Sequence, residues 1–190
     1  MHIEKMNIPD VLLIKPVIHG DERGWFVETY QQARYQKTAI AQHFVQDNMA
    51  HSSKGTLRGL HAQHPHDQGK LVQVIVGEVL DVAVDIRHGS PWFGQWVSAR
   101  LSAQNKHQFW VPAGFAHAYI VLSESAIFSY KCTDLYAPKD EISIRWNDPA
   151  LAIDWQYSGT PLLSEKDQKA PLLAAIPQKK LPLFKSLSDR

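Results

Sequence analysis

Lys70-Leu71-Val72-Gln73-Val74-Ile75-Val76-Gly77-Glu78-Val79-Leu80-Asp81-Val82-Ala83-Val84-Asp85-Ile86 decides the fold class. Two β-branched runs, Leu71–Val76 and Val79–Ile86, flank Gly77-Glu78, a pattern that predicts two strands joined by a hairpin turn. Outward from this stretch the same pattern recurs. Phe44–Asn48 and Thr56–Gln63 precede it. Phe109–Val111 and Phe115–Leu122 flank Pro112-Ala113-Gly114, Ile127–Thr133 follows Ser123-Glu124-Ser125, and Glu141–Trp146 closes the series. Many short strands with turn residues between them predict an all-β sandwich or barrel. Ile8–Ile18 reads as a further strand, one able to add to a partner's sheet. Helical pattern is confined to Gln31–Gln42 and to a turn opening at Ser164, where Ser-Glu-Lys-Asp supplies an N-cap and first-turn acids. The Pro- and Lys-rich tail after Pro171 is expected to pack loosely or on a partner.

Alternation along the strands carries chemical information, because successive side chains point to opposite faces. Lys70 shares a face with Val72, Val74 and Val76; His117 with Phe115, Tyr119 and Val121; Tyr130 with Phe128. Three titratable groups thus join apolar faces, and a small barrel has room to gather them around one ligand.

The 190 residues suit one domain spanning 1–190, with 44% hydrophobic and 21% charged residues in an ordinary globular balance. Twenty Lys+Arg against 19 Asp+Glu argue against a nucleic-acid or membrane-surface protein. Cys132 is the single cysteine, and Val11–Ile14 is too short an apolar run for a signal sequence or a membrane span. A reducing cytoplasm is the expected compartment.

Two segments resemble the paired motifs of the cupin superfamily: His64-Pro65-His66 followed by Lys70 and Gly77, and Pro112-Ala113-Gly114-Phe115-Ala116-His117. Metal-binding cupins carry a glutamate where this chain has Lys70. An ammonium there repels a divalent cation and offers no lone pair while protonated, so no metal is expected, and His64 and His66 read as exposed loop residues.

Further segments carry a closer resemblance: Gly20-Asp21-Glu22-Arg23-Gly24, Phe44-Val45-Gln46-Asp47-Asn48, Leu57-Arg58-Gly59-Leu60-His61, Gln68-Gly69-Lys70-Leu71-Val72, Gly77 to Arg87, Tyr130-Lys131-Cys132-Thr133-Asp134 and Leu163-Ser164-Glu165-Lys166-Asp167. In this order they resemble the dTDP-4-dehydrorhamnose 3,5-epimerase family, a metal-free cupin branch, from Ile8 to about Leu173. The resemblance implies a cupin-type jelly roll with a few short helices, a homodimer and no cofactor. It implies epimerisation at C3 and C5 of a dTDP-linked 4-keto-6-deoxy sugar on the way to dTDP-rhamnose. A C4 ketone acidifies the hydrogens at C3 and C5. The reaction therefore needs a base, an acid on the opposite ring face and a positive group at the enolate oxygen. His61 is the candidate base, since imidazole titrates near neutrality, and the resemblance pairs it with Asp167. Tyr130 is the candidate acid and Lys70 the enolate-stabilising cation. Arg23 and Arg58 are candidate diphosphate clamps. The resemblance adds Glu28, Gln46, Asp47, Asn48, Glu141 and Lys166 as nucleotide or phosphate contacts and sets Tyr136 against thymine. His117 suits packing and ligand contact equally. Three alternatives stand beside this reading: an epimerase acting at one carbon or on a differently substituted 4-keto sugar, a metal-dependent cupin, and an inactive sugar-nucleotide binding module.

Overall fold

The computed structural model describes residues 1–185. Thirteen strands dominate it: β1 (His2–Lys5), β2 (Leu12–Lys15), β3 (Ile18–Asp21), β4 (Gly24–Val27), β5 (Gln46–Ser53), β6 (Leu57–Gln63), β7 (Lys70–Val76), β8 (Glu78–Asp85), β9 (Trp96–Ser102), β10 (Gln108–Val111), β11 (Phe115–Val121), β12 (Ser125–Cys132) and β13 (Glu141–Ser143). Two one-turn helices, α1 (Gln32–Tyr35) and α2 (Glu165–Gln168), lie outside the sheets. A six-stranded sheet in the order β1-β2-β10-β7-β12-β5 faces a five-stranded sheet in the order β13-β6-β11-β8-β9. All pairings within these sheets are antiparallel. This is the expected cupin-type jelly roll.

The alternation read from the sequence builds the core between the sheets. Val72, Val74, Phe109, Val111 and Phe128 from one sheet meet Val79, Ala83, Phe115, Tyr119 and Val121 from the other. Val76 departs from its stripe and is exposed. The five-stranded sheet is buried on its outer face as well. There Leu80, Val82, Val84, Ala116, Ala118 and Ile120 pack under Ile144, Leu151, Trp155, Leu173 and Leu181. Burial on both faces explains why β8 reads as an almost unbroken apolar run.

Several expectations are corrected. Gly77-Glu78 is not a hairpin turn: β7 and β8 belong to different sheets, and Gly77, at φ +81°, is the corner between them. The tail after Pro171 is not loose up to residue 185, because Leu173 and Leu181 close the five-stranded sheet; residues 186–190 lie outside the described part. The Gln31–Gln42 helix is one turn long. Its N-cap Gln31 makes no capping bond, and the chain turns back so that Tyr35 and Ile40 bury against Leu12, Ile14, Leu71 and Trp110. The strand expected at Phe44 begins at Gln46, because Phe44 packs edge-on against Trp110. Within Ile8–Ile18, β2 is already paired on both sides, by β1 and β10, so it offers no free edge.

Candidate active site

A cavity of about 650 Å³ opens between the sheets, walled by Ala50, Arg58, His61, Lys70, His117, Tyr119, Phe128, Tyr130 and Asp167 among others. A second, of about 310 Å³, adjoins it through His61, Lys70, Tyr130 and Lys166 and continues to Gln46, Asn48, Tyr136 and Glu141. The topology gathers these residues. Lys70 opens β7, Tyr130 on neighbouring β12 stands opposite Val72, two residues along from Lys70, and His61 on β6 pairs with His117 on β11.

His61 Nε2–H donates to Asp167 Oδ1 at 2.5 Å. The carboxylate is held in place by the capping bond that Ser164 Oγ accepts from the Asp167 amide at 3.1 Å. With Nε2 engaged, Nδ1 is the imidazole nitrogen left to act as a base. Burial works to raise the Asp167 carboxyl, but the hydrogen bond and charge of His61 outweigh it and hold the group below its ordinary value. His61 and Asp167 lie 106 residues apart, and α2 closes that distance.

Lys70 makes no ion pair among the described residues. Burial lowers the pKa of its ammonium, opposed by Cys132, Asp81 and Glu141. Its field therefore acts on whatever occupies the cavity. Burial also pushes the Tyr130 phenol up to about 12, which keeps it a proton donor across the ordinary pH range. Arg58 Nε donates to Ser52 Oγ at 3.1 Å, and the guanidinium borders the cavity. Lys166 reaches the Glu141 carboxylate, which also accepts from Tyr136 Oη at 2.8 Å. Burial raises the Glu141 carboxyl, but these two bonds prevail and keep it low.

Three site candidates lie outside the cavity. Arg23 is in the turn of the β3–β4 hairpin, its side chain 89% exposed and paired with Asp21 at 2.5 Å. Glu28 pairs with Arg34 at 3.3 Å in a separate recess. Asp47 points to the opposite face of β5 from Gln46 and Asn48, and binds Lys131 at 2.9 Å. The His-Pro-His loop also turns aside: His64 bonds Asp67 at 3.0 Å and His66 bonds Asp140 at 2.6 Å.

Sequence reasoning missed Asp81. It is fully buried and accepts from His117 Nε2–H at 2.9 and 3.0 Å, so His117 is a hydrogen-bonded member of the cavity wall. Burial raises the Asp81 carboxyl, opposed by His117 and Lys70. A signal was present, since a carboxylate inside the apolar run Val79–Val84 must find a partner when buried.

The chain matches the family model described as dTDP-4-dehydrorhamnose 3,5-epimerase over residues 5–175. It is 54% identical to the dTDP-4-dehydrorhamnose 3,5-epimerase of Pseudomonas aeruginosa, over 92% of this chain and 97% of the relative. Among solved structures, it resembles a dTDP-6-deoxy-D-glucose-3,5-epimerase from Legionella pneumophila in complex with dTDP-4-keto-L-rhamnose. That likeness has a TM-score of 0.94 and 52% identity, covering 97% of this chain and 99% of the other. A 3'-monoepimerase from Streptomyces bikiniensis in complex with dTDP-quinovose also superposes, with a TM-score of 0.88, 35% identity and coverage of 96% and 93%.

Proposed function

The chain belongs to the dTDP-4-dehydrorhamnose 3,5-epimerase family, and from that premise we propose that it inverts C3 and C5 of dTDP-4-dehydro-6-deoxy-D-glucose to give dTDP-4-dehydro-L-rhamnose. The observation that carries the reading is the His61–Asp167 pair in one cavity wall with Lys70 and Tyr130. His61 Nδ1 takes the proton from C3 or C5, and Asp167 stabilises the imidazolium that results. The negative charge moves to O4, where Lys70 meets it. Tyr130 returns a proton to the opposite ring face and so inverts the carbon. His117 and Arg58 complete the polar wall around the sugar and the diphosphate, while Gln46, Asn48, Tyr136, Glu141 and Lys166 form the nucleotide end.

Arg23, Glu28 and Asp47 have no cavity role within one protomer. In this reading Arg23 and Glu28 serve a neighbouring protomer's nucleotide in a homodimer. The exposed Trp25 and Phe26 on the same hairpin support an interface there. The compartment proposed is the cytoplasm, where nucleotide sugars are processed; among the described residues no helix is long and apolar enough to cross a membrane.

NMR of the product formed from the 4-keto sugar nucleotide in deuterated water tests the reaction. Solvent deuterium is expected at both C3 and C5, and His61→Ala should slow turnover about a hundredfold to ten-thousandfold. Turnover of His61→Ala within a few-fold of the parent would remove His61 as the base. The likeness to a 3'-monoepimerase favours a second reading, inversion at one carbon, which the same spectrum would reveal as exchange at a single position.

A further inference from the structure

Tyr136 lies in a stretch without regular structure between β12 and the short 3-10 turn at Pro138–Asp140, and the residue is 55% exposed. An exposed aromatic on such a segment is ordinarily mobile, because nothing packs on it. Here the backbone beneath the ring is held group by group. Gln68 Nε2 donates to the Asp134 carbonyl at 2.8 Å. Gln63 Nε2 donates to the Leu135 carbonyl at 2.9 Å, and its Oε1 accepts from the Ala137 amide at 3.1 Å. Gln46 Oε1 accepts from the Tyr136 amide at 3.0 Å. Three glutamines from β5, β6 and the approach to β7 therefore bind four consecutive residues of one loop.

Gln63 is the centre of the arrangement. It is 4% exposed, and its amide spends both ends on the residues that flank Tyr136. Its Nε2 also donates to the His66 carbonyl, and His66 binds Asp140 at 2.6 Å just beyond the loop. A neutral amide suits this role because it donates and accepts at once and leaves no charge to desolvate. Tyr136 is then presented to the cavity with its loop already ordered.

We propose that Gln63 and Gln68 are positioning residues that preform the Tyr136 wall of the nucleotide subsite, so that binding does not have to order the loop. The inference rests on the nucleotide reading of Tyr136 given above. Pre-ordering lowers the entropic cost of binding equally in ground and transition states, so it acts on KM more than on kcat.

Hydrogen exchange of the ligand-free protein separates the loop claim from the nucleotide claim. In Gln63→Leu the Ala137 amide should exchange at least about tenfold faster than in the parent, with β8 and β11 amides unchanged. If Gln63→Leu does not fold, Gln63→Met, which keeps the length of the side chain but loses the acceptor for Ala137 and both donations, carries the same test through the Ala137 and Tyr136 amides. Unchanged exchange at these amides would overturn the cradle whatever the ligand is. Titration with dTDP then reads the functional half. Gln63→Leu should weaken dTDP about tenfold and raise KM similarly, with kcat within about threefold. Adding it to Tyr136→Ala should cost little more than Tyr136→Ala alone, since both act through one ring. Additive losses would mean that Gln63, which with Gln68 also borders the second cavity, touches the nucleotide itself, and a fall in kcat with KM unchanged would mean that it only supports the fold; either result would overturn the proposal. If Tyr136→Ala binds dTDP as tightly as the parent, the nucleotide role of Tyr136 is wrong and the proposal fails with it, even though the exchange data would still show an ordered loop.

Discussion

Tyr130 and Lys70 sit in the same apolar setting, yet burial moves their titrations in opposite directions, because it favours the neutral form of each. The phenol, pushed up to about 12, remains protonated wherever an ammonium would. The alkaline fall in kcat should therefore follow Lys70, whose cation is lost as pH rises. It should begin below the ordinary lysine range of about 10.4. Lys70→Met should be much slower and show no such limb; a limb that persists in this variant would assign it elsewhere. Tyr130→Phe should uncouple exchange from inversion. His61 still forms the enolate and returns solvent deuterium to the face it attacked, so NMR should find deuterium at C3 or C5 with little inverted product. Near-normal inversion would make Tyr130 a packing residue. Loss of both exchange and inversion, in a variant that still binds dTDP, would give it a part in enolisation itself.

The strands place these groups only because the chain changes sheets between neighbouring elements. Gly77 is one such corner, at φ +81°, and a Cβ there would collide with the Ser125 carbonyl. Gly77→Ala should cost about 1–3 kcal/mol from backbone strain alone, and more from the collision, read as a lower denaturation midpoint. A midpoint equal to the parent's would show that the corner tolerates a side chain. Gly59, at φ +119°, has the same constraint for a different reason. Its missing side chain lets β6 approach Ala118 and the His117 carbonyl on β11, which brings the two histidine strands together. The helices matter less for stability than for reach. α2 is one turn long, yet it alone delivers Asp167 to His61.

At the scale of the molecule, Arg87 ties the distant parts of the chain together. It is 4% exposed and binds Asp85 at the end of β8, at 2.6 Å, and Asp10 ahead of β2, at 2.7 Å. Its guanidinium also lies over the rings of Phe115 and Phe184. Arg87→Met would leave Asp85 buried without its cation, a loss of about 3–5 kcal/mol in chemical denaturation. A loss below about 1 kcal/mol would mean that Asp85 finds other partners. The β3–β4 hairpin instead points outward, with Trp25 and Phe26 exposed. Sedimentation at micromolar concentration should give twice the 21.5 kDa chain mass. Trp25→Glu with Phe26→Glu should shift the protein toward monomer and weaken dTDP binding together, as expected if Arg23 and Glu28 serve the neighbouring site. A parent protein that sediments as a stable monomer would refute the dimer.

Residue order alone determined the all-β class, the faces that Lys70, His117 and Tyr130 share with their apolar neighbours, and the capped turn at Ser164, because each depends on near neighbours and strict alternation. Recognition of His61 and its partner Asp167 came from motif resemblance, since no local rule joins residues 106 apart. Only the tertiary structure decided which strands pair. A glycine between two apolar runs looks the same whether the chain doubles back within one sheet or crosses to the other, so the residues around Gly77 read as a hairpin when they form a corner. The same limit hid the pairing of Asp81 with His117. It also hid the packing of Leu173 and Leu181 on the five-stranded sheet. Each of these depends on which surface a distant segment covers, and that is settled by long-range packing, not by the residues on either side.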